Sequence, residues 1–200
     1  MILLMPRKQR VWYPGAVLHI ANRGNRKLPI FHDEKDYMQF LQLMETARQR
    51  HPFYLHAYCL MSNHYHLLLE AIDDSPALPL HFLNVSYAKY YNDRYMQSGH
   101  VFQGRYYSKV APAIDYILDA SKYIHLNAVK AGIISNPADY QWSSCAAYIY
   151  HTENPHITTS TVLSYFPKPP SYHYQKFLHS DRPSKFQDLV FPVVQYNNKI

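Results

Sequence analysis

"SNHYHLLLE", residues 62–70, sets two histidines one residue apart inside a run that otherwise reads as a buried strand. A strand turns alternate side chains to opposite faces, so His64, His66, Leu68 and Glu70 share one face while Tyr65, Leu67 and Leu69 share the other. Imidazoles two residues apart can both reach a single point above the sheet, which is the geometry needed to hold one metal ion. The chain has 13 histidines, so the pair alone does not separate two ligands from two surface or core side chains.

Reading outward, "PFYLHAYCL" (52–60) is a second strand, joined to the first through "MSN" as an antiparallel hairpin. Upstream, "AVLHIANR" (16–23) reads as a strand, and "GNRKLPIF" after it as a loop with the expected Gly and Pro. From Asp33 a helix follows: acidic residues open it, Arg closes it, and Tyr37, Phe40, Leu41 and Met44 recur at helical spacing. A second helix spans about Leu78 to Tyr95, and "GHVFQGRYYSKVAP" (99–112) then reads as extended. Strand, helix, strand, strand, helix, strand is the α+β, ferredoxin-like βαββαβ arrangement, an antiparallel sheet with helices on one face. If Leu67 and Leu69 pack against those helices, His64 and His66 stand on the other, uncovered face.

Beyond this unit, "PAIDYILDASKYIHLNAVKAG" predicts one additional helix from Pro112 to just before Gly132. Ile114, Ile117, Leu118, Ile124 and Ala128 form its apolar stripe, and Tyr116, Tyr123 and Asn127 fall on a different side. Tyr123 and Asn127 are four apart and project together. "NPADYQWSSCAAYIY" supplies Trp142 and a short helix. Residues 1–150 therefore read as one domain, and residues 151–200, rich in Pro, Ser, Thr and aromatics, as a loosely structured C-terminal extension with short helical pieces.

Formal charge +6 and a pI near 9.1 suit a polyanionic partner. The 20 tyrosines suit either base stacking among basic residues or ordinary core and strand positions. Cys59 and Cys145 have no CxxC spacing, which argues against a thiolate metal site or a disulfide framework. "MILLMPRKQR" has its apolar and basic residues in the reverse of a signal peptide's order, and no apolar run approaches membrane-spanning length, so a cytoplasmic protein is expected.

Two strand histidines and one helix amide oxygen would supply three protein ligands and leave coordination positions open, the pattern of a catalytic rather than a structural metal site. A tyrosine one turn from the amide adds a nucleophile. Its phenol, with an ordinary pKa of about 10, needs a cation that polarises a scissile phosphate and stabilises charge on it. The product of such an attack is a covalent phosphotyrosine, which conserves the phosphodiester for rejoining.

With these residues in view, the chain resembles the HUH single-tyrosine transposases, among them the REP-associated tyrosine transposases. The resemblance rests on His64-Tyr65-His66 together with "HIANRGNRKLPIF", "YCLMSNHYHLLLE", "GHVFQGRYYS", "YIHLNAVKAGI" and "DYQWSSCAAY", in order over roughly residues 15–150. It implies that His64 and His66 bind a divalent metal, Mg or Mn, that Asn127 is the third ligand, and that Tyr123 is the nucleophile. It further implies cleavage of single-stranded DNA near a hairpin to a 5′-phosphotyrosine and a free 3′-OH, by a monomer or a homodimer. Tyr65 and Ala128 depart from the family's more usual aliphatic residue and proline, and neither removes a reacting atom. Arg23, Asn25, Arg26, Lys27, Arg105 and Lys109 are candidate DNA contacts or merely solvated charges. Tyr106 and Tyr107 either stack bases or pack. His125 reads as a packing residue, and His19 and His56 as supporting or core groups. Two other readings fit the same features: a non-catalytic hairpin-binding protein, and a metal-dependent nuclease that uses water.

Overall fold

The alternating strands and amphipathic helices form in the expected order in the computed structural model, which describes residues 10–181: β1 (Val17–Arg23), α1 (Glu34–Arg50), β2 (Phe53–Met61), β3 (His64–Ala71), α2 (Ala77–Tyr95) and β4 (Tyr107–Val110). The first nine residues of the "MILLMPRKQR" stretch and residues 182–200 of the extension lie outside the described residues. All pairings are antiparallel, in the order β2-β3-β1-β4. Ser62 and Asn63 alone join β2 to β3, with Met61 opposite His64. So short a turn sets the register, and the register decides which face each histidine takes.

Leu18, Ile20, Leu55, Tyr65, Leu67 and Leu69 face α1 and α2, packing on Phe40, Met44, Leu80, Leu83 and Tyr87. The two helices are tied by the buried Asp36 carboxylate, which accepts from the His32 amide, from the hydroxyls of Tyr90 and Tyr95, and from Arg94. Among the described residues no helix is long and apolar enough to cross a membrane.

The opposite face is not uncovered, contrary to the sequence expectation. It carries Val17, Ala57, Cys59, Met61 and Leu68, too apolar a set to leave in water. α3 (Ile114–His125) and α4 (Asn127–Lys130) lie on it, backed by α5 (Cys145–Ile149), α6 (Ser160–Leu163) and α7 (Pro170–His179). Ile117, Leu118, Ile124 and Ala128, four members of the predicted stripe, enter this second core with Tyr148, Val162, Tyr174 and Leu178. The outer edge of β2 is capped as well: Leu60 donates to the Trp142 carbonyl, Ser144 to that of Tyr58 and Thr158 to that of Leu55. That covers a strand edge otherwise open to pairing with another chain.

The single helix expected over 112–131 is two. Ala113 is extended, so Pro112 precedes the helix, and Ile114 in the first turn is exposed rather than part of the buried stripe. The break falls at Leu126, where the Asn127 side-chain amide donates to the Tyr123 carbonyl at 2.8 Å and competes with the regular backbone pattern. Gly132, with φ +69°, ends the second piece as expected.

The loop after β1 turns tightly at Gly24, where a Cβ would come within 2.1 Å of the Leu28 carbonyl oxygen. Because that neighbour is backbone, Gly24→Ala is expected to cost ~1–3 kcal/mol. Thermal unfolding would show this as a lower midpoint, by roughly 2–4 °C for each kcal/mol lost.

Candidate metal and nucleophile site

The alternation of β3 puts His64 and His66 under α3, and β1 adds His19 on the same face. His19 Nε2 lies 3.0 Å from His66 Nδ1, and the rings of His64 and His66 meet edge to face with centroids 5.0 Å apart. From α3, the Tyr123 ring reaches within 5.4 Å of His66 and 5.6 Å of His19. Asn127, just past the helix break, lies beside His64 and influences its protonation. The structure thus brings together the four residues that the sequence singled out, although on two short helices rather than one long one.

Asn63, in the hairpin turn, orients His64. Its amide nitrogen donates to the Lys27 carbonyl at 3.0 Å, which turns its oxygen to His64 Nδ1 at 2.7 Å. An amide oxygen only accepts, so Nδ1 carries the proton and Nε2 is the lone-pair nitrogen of the neutral ring. Asn127 is fixed similarly: its nitrogen is spent on the Tyr123 carbonyl, so the oxygen is the atom it can offer a cation.

Burial governs the electrostatics. It lowers the pKa values of His19 and His64 to about 3 and that of His66 well below its ordinary value; Lys109 adds to the effect at His19, and His64, His19 and Lys130 add to it at His66. At His64 the Asn127 side chain opposes the shift and Arg23 reinforces it. All three rings are therefore neutral at pH 7, the form that ligates metals. Burial, then Cys59 and Tyr107, push the Tyr123 phenol up to about 12. Lys130 lies over that ring, its Nζ 4.7 Å from the centroid.

Among the described residues, no three His, Cys, Asp or Glu side chains gather as a metal site. Two imidazoles and an amide oxygen do meet here, and this neutral nitrogen and oxygen donor set fits a divalent cation that also takes phosphate or water oxygens.

The candidate DNA contacts divide. Arg23 ends β1 opposite His64 and is held by the Gln103 side chain at 2.8 and 3.1 Å. Gly24 bridges to Phe102, and Asn25 donates to the Val101 carbonyl, so the loop with Arg23, Asn25, Arg26 and Lys27 adjoins the one with Arg105. Arg26, Lys27 and Arg105 are exposed. Lys109 stands apart on β4, opposite His19 and near the Tyr116 ring. Of the two alternatives open for Tyr106, it packs: it is buried in the first core with the Arg10 guanidinium 3.8 Å over its ring. Tyr107 is half-buried, 6.2 Å from His19.

His125 is buried and bonded to Tyr174 and Ser144, while His56 is held by Glu70 and the Thr158 carbonyl. Sequence reasoning missed Asn63 and Lys130. Asn63 sits in the quoted stretch, one residue before His64, and Lys130 lies three residues after Asn127; only the turn and the helix break show what either side chain faces.

A family model described as "Transposase IS200 like" matches residues 13–127. Among solved structures, a REP-associated tyrosine transposase bound to a REP hairpin superposes with a TM-score of 0.63 at 16% identity, over 79% of this chain and 93% of the other. No curated protein matches.

The depressed histidine pKa values imply a direction for acid stability. The unfolded chain protonates these rings below about pH 6.5, whereas the folded one resists until about pH 3, so their contribution is complete at neutral pH and lost as pH falls through that window. Urea midpoints measured from pH 8 to pH 4 should stay level above about 6.5 and then fall, each buried histidine adding a slope of up to ~1.4 kcal/mol per pH unit.

Proposed function

This chain belongs to the IS200-like transposase family, and from that premise we propose that it cleaves and rejoins single-stranded DNA beside hairpins, through a 5′-phosphotyrosine formed on Tyr123. The observation that carries this reading is the Tyr123 ring set against His66 and His19, with Asn127 tied to the Tyr123 carbonyl and beside His64. In the step proposed, Tyr123 Oη attacks the scissile phosphorus, an Oη–P bond forms, the P–O3′ bond breaks, and the departing strand keeps the 3′-OH. The phenol loses one proton and the 3′ oxygen gains one.

A divalent ion, Mg or Mn, held by His64, His66 and the Asn127 amide oxygen, would polarise the phosphate and offset the raised pKa of the phenol. His19 steadies the His66 ring and Asn63 the His64 ring, as partners of metal-binding histidines commonly do. The Lys130 ammonium beside the Tyr123 ring favours the phenolate electrostatically. Arg23, Asn25, Arg26, Lys27 and Arg105 would take hairpin phosphates at the His64 end of the sheet, and Lys109 the strand nearer His19. The hairpin-bound transposase with the same fold supports this choice of substrate.

Burial of His64, His66 and Tyr123 favours a second reading, hairpin binding without cleavage. A denaturing gel separates the two. Wild-type protein with Mg or Mn should carry the 3′-labelled fragment as a covalent adduct. Tyr123→Phe should bind but form none, and His64→Ala, or wild type with chelator, should lose the adduct by at least ~100-fold. An unshifted wild-type band in every condition would leave hairpin binding as the function, and cleavage that survives Tyr123→Phe would point to water as nucleophile.

Salt titration of hairpin binding tests the basic loop. The double replacement Arg26→Ala and Lys27→Ala should reduce the slope of log K against log salt by roughly 1.4 to 1.8, two phosphate contacts' worth.

A further inference from the structure

On the side of α3 turned away from the histidines lies a second buried polar cluster that the chemistry above does not use. It comprises Ser121 and His125 of α3, Ser144 just before α5, and Tyr174 of α7, all fully buried. Ser121 Oγ donates to the Leu118 carbonyl at 2.8 Å and so accepts from the Tyr174 hydroxyl at 3.1 Å. The Tyr174 proton being committed there, His125 Nδ1 donates to Tyr174 Oη at 2.7 Å. His125 Nε2 then accepts from Ser144 Oγ at 2.8 Å, and that oxygen takes the Tyr58 backbone N–H at 2.9 Å. The Ser144 hydroxyl also lies 3.3 Å from the Tyr58 carbonyl, a longer contact than the one to His125.

The chain of bonds runs from α7 through α3 to β2. On β2, Tyr58 precedes Cys59, whose partner on β3 is His66. A separate clasp acts beside it: Lys122 Nζ donates to the carbonyls of Phe177 and Ser180 and to Ser180 Oγ, at 2.9, 2.5 and 2.9 Å, gripping the C-terminal end of α7. Residues 121, 122 and 125 are thus bound to α7 while Tyr123, between them, faces the sheet. α3 has only 12 residues and breaks at Leu126. Its rotation about its own axis sets where the Tyr123 hydroxyl falls, and these side chains restrain it together with the packing of Ile117, Leu118 and Ile124.

We propose that Tyr174, through His125 and Ser144, and Lys122, through the end of α7, are positioning residues that hold the Tyr123 helix in register over His64 and His66. The C-terminal segment is then part of the reaction machinery. This rests on the strand-transfer reading, and the test keeps the two apart. Full-length Tyr174→Phe keeps the ring that packs on Tyr148 and Phe166 and loses only the hydroxyl. Lys122→Met removes the clasp independently.

Both variants should bind labelled hairpin DNA within about twofold of wild type, form the Tyr123 adduct ~10- to 100-fold more slowly, and exchange the amides of α3 faster than those of α1 and α2. Leu83→Val, a cavity on the other side of the sheet, controls for general loosening and should leave the adduct rate of the bound complex unchanged. The proposal is overturned if both variants form adduct at the wild-type rate, if Leu83→Val slows it as much, or if α3 exchange is unaltered. Should wild type form no adduct, the strand-transfer reading fails by itself, and α3 exchange alone decides whether α7 holds that helix.

Discussion

The antiparallel pairing of β2 and β3 through two turn residues is the constraint on which the rest of the structure depends. With Met61 locked opposite His64, a slip of one residue would send His64 and His66 into the α1–α2 core and bring Tyr65, Leu67 and Leu69 to the other face. The Asn63 side chain uses the same turn to fix the His64 tautomer. Register, ring orientation and site thus have a common origin in four consecutive residues.

The second face shows how packing and chemistry share a surface. Ala57, Cys59, Met61 and Leu68 require an apolar cover, and α3 supplies it with Ile117, Leu118 and Ile124. That same docking presses Tyr123 onto the imidazoles. The helix ends at Leu126, where the Asn127 amide takes the Tyr123 carbonyl. The nucleophile candidate and the amide candidate are joined by a hydrogen bond as well as by spacing.

Much of this was legible because it is periodic. The βαββαβ order follows from period-2 strands and from Tyr37, Phe40, Leu41 and Met44 at helical spacing; strand alternation pairs His64 with His66 and a four-residue step pairs Tyr123 with Asn127, while joining the two pairs in one site rests on the family resemblance. What was not legible lacks a period. α5 and α6 are too short to show one, and α7 is a ten-residue helix whose Tyr174 and Leu178 are buried only because α3 and α5 stand beside them. The break at Leu126 depends on where one side-chain amide points. Tyr106 reads the same from sequence whether it stacks a base or, as found, lies beneath Arg10.

The composition of the site follows from its position between two layers. A charged group buried there would give up its hydration, so the environment selects side chains whose neutral forms are accessible at pH 7. Imidazole, amide and phenol meet that condition, and burial drives the histidine and tyrosine pKa values apart, each toward its uncharged state. A buried carboxylate would instead demand a paired cation, as Asp36 finds in Arg94 between the other two helices. The neutrality that makes the histidines good donors makes the phenol a poor nucleophile. Lys130, its ammonium over that ring, acts from an exposed position at the edge of the layer, where partial desolvation lowers its own pKa.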